Sequence, residues 1–63
     1  MKRKEFIKYI RKLAKEKGLE VTIDKRKGKG SHYMAFVGDR RATIPKRLSP
    51  ALRKAILKQL GLE

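Results

Sequence analysis

The sequence predicts an α+β fold in which a helix, three antiparallel strands and a second helix follow one another, α-β-β-β-α, with both helices on one face of the sheet. Near each end of the chain, apolar residues recur every three or four positions, the period of a helix with one buried side. Between these two segments lie three short apolar runs separated by glycine-containing turns, which is typical of neighbouring antiparallel strands. With 63 residues, the sequence indicates one domain, residues 1–63.

Both helices have clear ends in the sequence. The first is predicted over residues 4–17, because Gly18 follows a basic last turn and glycine readily adopts the left-handed backbone that ends a helix. The second is predicted from Ser49-Pro50, an N-cap followed by proline, to Leu60, where Gly61 stops it. The expected buried stripes are Phe6, Ile7, Ile10, Leu13 and Ala14 in the first helix, and Leu52, Ala55, Ile56 and Leu60, with Leu57 on the flank, in the second.

The strands are predicted from alternation and turn residues. Residues 19–25 alternate strictly, with Leu19, Val21 and Ile23 on the buried side. A basic, glycine-containing loop over 26–31 leads to the second strand, 33–37, and Gly38-Asp39 turns the chain into the third, 40–44, which Pro45 ends.

The side chains of the second strand must be assigned to two faces. We expect Met34 and Phe36 to face the helices, with Ile44 also in the core. His32 then shares their side by parity, while Tyr33, Ala35 and Val37 face outward. The outward face of the sheet is expected to carry Thr22, Tyr33 and Ala35, and no remaining segment of the chain covers it.

The charge balance indicates a polyanionic partner. Lys and Arg total 19 against 6 Asp and Glu, a formal net charge of +13. Nucleic acid fits best, because each neutralised phosphate releases counterions; a solubility surface and an acidic protein partner are the alternatives. The chain has no cysteine and no long apolar run, so we expect a cytoplasmic protein without a signal peptide or membrane span.

One stretch combines flexibility, charge and a titratable group. Gly28-Lys29-Gly30-Ser31-His32 ends on the only histidine of the chain, and histidine is the side chain that titrates nearest to neutral pH. In a small cationic domain, this arrangement favours proton transfer beside a phosphate. A turn histidine with no chemical role is the alternative.

Two segments resemble the HicA-type toxins, the mRNA-cleaving partners in type II toxin–antitoxin pairs. Gly30-Ser31-His32 is similar to the Gly-Ser-His signature of the family, and residues 52–62 (LRKAILKQLGL) resemble its C-terminal helix. The resemblance implies a dsRBD-like fold, endoribonuclease activity carried by a histidine, here His32, and a HicB-like antitoxin that covers it. The chain departs from the family at Tyr33 and Lys46, where many members have further histidines.

Cleavage of RNA without a metal needs a base for the 2′-hydroxyl, an acid for the leaving oxygen and cations for the developing charge. His32 can fill one proton-transfer role. Too few ligands are present for a metal site, and no cofactor is expected. The residues expected to contact RNA are Lys25, Arg26, Lys27, Lys29, Gly30, Ser31 and Tyr33, the last by stacking on a base unless it lies against the antitoxin. Lys8, Arg11, Lys12, Lys15, Lys54 and Lys58 are expected to form solvated faces.

Two further functions remain compatible with the sequence. A non-catalytic RNA-binding module would bind RNA with strong salt dependence and leave it intact. A basic protein-interaction domain would retain no RNA at physiological salt.

Overall fold

The computed structural model describes residues 2–25 and 32–63. The elements are α1 (Arg3–Glu16), β1 (Val21–Asp24), β2 (Tyr33–Val37), β3 (Arg40–Ile44) and α2 (Pro50–Gln59). The three strands form one antiparallel sheet in the order β1-β2-β3. The α+β prediction and its α-β-β-β-α order are therefore confirmed. The loop predicted over 26–31 lies outside the described residues.

The two helices end in the same way. After α1, the Leu19 N–H donates to the Ala14 carbonyl at 2.8 Å, and after α2 the Leu62 N–H donates to the Leu57 carbonyl at 2.8 Å. Both turns depend on a glycine in the left-handed conformation, which gives the C-terminal carbonyls partners. These are Gly18, with φ of +71°, and Gly61, with φ of +74°.

The two helices begin differently. The Oγ of Ser49 accepts a hydrogen bond from the Leu52 N–H at 3.1 Å, and Pro50 follows at the first helical position. Such a cap satisfies one of the N–H groups at a helix start that have no partner within the helix. At α1 the N-cap is Lys2, whose side chain makes no capping hydrogen bond. The first turn of α1 carries Arg3 and Lys4 together with the acidic Glu5, whose charge is favourable near the positive end of the helix dipole.

One face of the sheet belongs to the core. Ala35 and Ala42 are cross-strand partners and are 0% and 2% exposed. Both helices contribute side chains to the same buried cluster, which favours the prediction that they cover one face. The cluster consists of Phe6, Ile10, Ala14, Ala35, Val37, Ala42, Ile44, Ile56, Leu57, Leu60 and Leu62.

The predicted facing of β2 is wrong. Ala35 and Val37 lie in the core and Tyr33 packs against it, whereas Met34 and Phe36 are half-buried and lie outside the core cluster. The small Ala35 and Ala42 side chains leave volume that large helix side chains fill, which is how close-packed layers interdigitate. The opposite side of the sheet, called here the outer face, carries Thr22, Asp24, Met34, Phe36, Arg41 and Thr43.

Two smaller expectations are also wrong. The buried stripe of α2 is rotated, since Leu57 is in the core while Ala55 is exposed and Leu52 is 36% exposed. Leu19 does not belong to β1, because its N–H donates to the hydrogen bond that ends α1. Its side chain is 39% exposed. Neither helix within the described ranges has the length and apolar character needed to span a membrane.

Candidate nucleic-acid interface

His32 lies one residue before β2, and its side chain is exposed. Side chains alternate between the two sides of a strand, so if the alternation of β2 continues to the residue before it, His32 falls on the side of Met34. Asp24 and Thr43 are the cross-strand partners of Met34, and both share the outer face. The histidine then stands at one end of an outer face that also carries a carboxylate and a hydroxyl group.

Tyr33 lies on the other side of β2 and is half-buried. The guanidinium carbon of Arg3 is 3.6 Å from the centroid of its ring, and the Nζ of Lys25 is 5.8 Å from it. Both distances are within the range of cation–π attraction. The expectation that Tyr33 lies on the outward face is therefore wrong, and the aromatic ring is directed toward cations near the start of α1.

The Tyr33 ring forms part of a cavity of about 470 Å³ beside α1, called here the basic cavity. Of the nine described residues that line it, six are Lys or Arg and none is Asp or Glu. The remaining three supply an apolar or aromatic surface. These described residues are Arg3, Lys4, Ile7, Lys8, Arg11, Ile23, Lys25, Tyr33 and Lys46.

The residues that line the basic cavity come from α1, from β1 and β2, and from the positions just after β1 and β3. Arg3, Ile7 and Arg11 are spaced four residues apart, so they lie along one side of the helix. Ile7 packs against the core, and the long cations beside it extend outward along the same side. Ile23 and Tyr33, in β1 and β2, complete the apolar part of the lining.

The sequence identified only part of this site. Lys25 and Tyr33, both expected to contact RNA, do line the basic cavity, whereas His32 is not among the described residues that line it. Lys8 and Arg11 were expected on solvated faces, yet they line the cavity with Lys25. Their spacing is that of any solvated helix face, so the sequence carries no signal that they line a cavity. The expected RNA contacts Arg26, Lys27, Lys29, Gly30 and Ser31 lie outside the described residues.

Lys46 also lines the basic cavity. It follows β3 and Pro45, whereas Tyr33 is the first residue of β2, so the two residues come from different parts of the sheet region. The cavity therefore combines a cation that follows β3 with an aromatic ring from β2.

Within the described ranges, no group of three His, Cys, Asp or Glu side chains could hold a metal ion. Comparison of the chain with protein-family models, curated proteins and solved structures yields no match. The resemblance to the HicA-type toxins thus rests on Gly30-Ser31-His32, residues 52–62 and the order of the elements.

Proposed function

We propose that this protein is a metal-independent endoribonuclease that cleaves mRNA in the cytoplasm, with His32 as its proton-transfer residue. The observation that carries the proposal is the exposure of the single histidine at the start of β2, one residue from a cation-rich cavity. Exposure allows the imidazole to reach a phosphodiester, and the net charge of +13 attracts one. By its resemblance to the HicA-type toxins, the protein is neutralised by a HicB-like antitoxin that covers His32.

In the proposed reaction, the imidazole of His32 takes the proton of a 2′-hydroxyl group. The 2′-oxygen then forms a bond to the adjacent phosphorus, and the bond from phosphorus to the 5′-oxygen breaks. The leaving oxygen takes a proton from water or from an ammonium group, and the products are a 2′,3′-cyclic phosphate and a 5′-hydroxyl. Lys25, which is exposed beyond the end of β1, is suited to stabilise charge on the phosphate oxygens.

The test is incubation of purified protein with single-stranded RNA in EDTA, followed by identification of the product ends. We expect cyclic phosphate ends from the unmodified protein and a rate at least about 100-fold lower for His32→Ala, because general acid–base catalysis typically contributes that much. Thr22→Ala, on the exposed outer face, is the matched control and should cleave normally. A folded His32→Ala variant that cleaves as fast as the unmodified protein would rule out this mechanism.

A non-catalytic RNA-binding module is the second candidate. It is favoured by one observation: the described residues that line the basic cavity include Tyr33 but not His32, so the histidine lies outside the cluster of cations. This function predicts that RNA is bound in EDTA and recovered intact, with equal binding by His32→Ala. The same incubation therefore separates the two functions.

A further inference from the structure

We propose that the basic cavity is a binding site for several clustered phosphate groups. Two sources share this chemistry: the triphosphate of a free nucleotide and consecutive phosphodiesters of RNA. With RNA as the source, the inference rests on the proposed function and adds a second contact surface on the helix side of the sheet. With a nucleotide as the source, it stands independently of RNA cleavage.

The charge of the cavity sets the kind of ligand. Among the described residues, six cationic side chains and no carboxylate line a volume of about 470 Å³. One phosphodiester carries a single negative charge, which is fewer than the charges of this lining. A ligand with three or more negative charges within a few ångströms matches the lining better. Arg3 and Lys4 are the first residues of α1, so the positive end of the helix dipole adds to the attraction.

The contact between Arg3 and Tyr33 pre-organises one cationic group of the site. At 3.6 Å from the ring centroid, the guanidinium is held against the aromatic ring, which restricts the orientation of its N–H donors. A guanidinium of fixed orientation suits two-point binding of a phosphate group, and less conformational freedom is lost when the ligand binds. Lys25 approaches the same ring at 5.8 Å and adds a second cation nearby.

The shape of the cavity favours phosphates over an acidic protein. The cavity has a volume of about 470 Å³, so the charges of a ligand must lie close together to contact several of the lining cations. Carboxylates on a protein surface are each attached to a separate side chain, and crowding several into this volume would require burying their backbone as well. Phosphates joined through shared oxygens bring the same charge in less space.

The experiment compares two variants that each replace two cations on α1. Lys8→Gln/Arg11→Gln removes charge from the cavity lining, whereas Lys12→Gln/Lys15→Gln removes the same charge from exposed positions outside the lining. Binding of sodium tripolyphosphate, ATP and a 2′-O-methyl RNA hexamer without a 5′-phosphate is measured by calorimetry in EDTA. Amide chemical shifts locate the bound probe, and polyglutamate is the competing acidic polymer.

We expect the cavity variant to bind tripolyphosphate at least about tenfold more weakly for each charge removed, and the control variant to change affinity less than about threefold. Shifts should concentrate at Tyr33 and the first two turns of α1. ATP binding through the cavity identifies the nucleotide as the source, and hexamer binding there identifies the RNA backbone.

Three results would overturn the inference: equal weakening in the two variants, no cavity binding by either ATP or the hexamer, and polyglutamate binding there as tightly as tripolyphosphate. The 2′-O-methyl group blocks attack by the 2′-oxygen, so binding is measured without cleavage. Cleavage of unmodified RNA is assayed separately, so failure of the cavity site and failure of the proposed nuclease remain distinguishable.

Discussion

The stacked pair of Arg3 and Tyr33 joins the first turn of α1 to the first residue of β2. The two residues are thirty positions apart in sequence, so their contact is a tertiary one. A planar guanidinium on an aromatic face is attracted by the ring electrons and also covers apolar surface. At the scale of single residues, this contact holds one cationic side chain of the basic cavity in a defined position.

A double-mutant cycle measures that contact. Arg3→Gln and Tyr33→Leu should each lower the free energy of unfolding, and the cycle should give a coupling energy of about 0.5–1 kcal/mol, the usual value for an exposed cation–π pair. Urea unfolding followed by circular dichroism provides the measurement. Tyr33→Phe keeps the ring and should retain most of the coupling to Arg3. Additive losses in the cycle would show that the two side chains do not interact in solution.

At the scale of elements, the facing of β2 has the clearest consequence for stability. Ala35→Lys should cost about 3–5 kcal/mol or prevent folding, because it places an unpaired charge in the core. Met34→Lys, on the outer face beside Thr43, should change stability by about 1 kcal/mol or less. Denaturant midpoints of the two variants test this order. The reverse order would mean that Met34 faces the helices.

Turn and cap residues explain why the element order could be predicted from the sequence. Gly18, Gly61 and Ser49-Pro50 each have one favourable structural role, and each is found in it. The facing of β2 could not be predicted in this way, because all five of its residues are apolar or aromatic and either alternation is plausible. Ala35 and Val37 are buried because the helix side chains that pack on this face fill the space above them. The volume of those side chains is a property of tertiary packing.

The candidate site was predictable to a similar extent. Lys25 and His32 stand out because a charged or titratable group lies beside the glycine-containing stretch. Lys8 and Arg11 have the same appearance as any solvated helix face, since a flanking cation and a cavity-lining cation have identical spacing. Only the position of Tyr33 relative to α1 distinguishes them.

At the scale of the whole molecule, the net charge of +13 makes binding depend on ionic strength. If the six cations of the basic cavity each neutralise one phosphate, a plot of log affinity for single-stranded RNA against log salt should have a slope of about −4. Lys8→Gln/Arg11→Gln should reduce that slope by about 1.4, and Lys12→Gln/Lys15→Gln by less. Fluorescence anisotropy with labelled 2′-O-methyl RNA gives the values. A slope near zero would exclude phosphate contacts as the source of affinity.

Tyr33 lines the basic cavity and the neighbouring His32 is not among the described residues that do; if the protein binds RNA as proposed, this separation sets how flexible the RNA must be. A strand that contacts both the basic cavity and the histidine must bend sharply around the end of the sheet where β1 stops and β2 begins. A nucleic-acid double helix resists such a bend, since the persistence length of duplex DNA is about 150 base pairs. A single strand turns freely at each nucleotide. The fold would therefore select its RNA by flexibility, before any base is recognised.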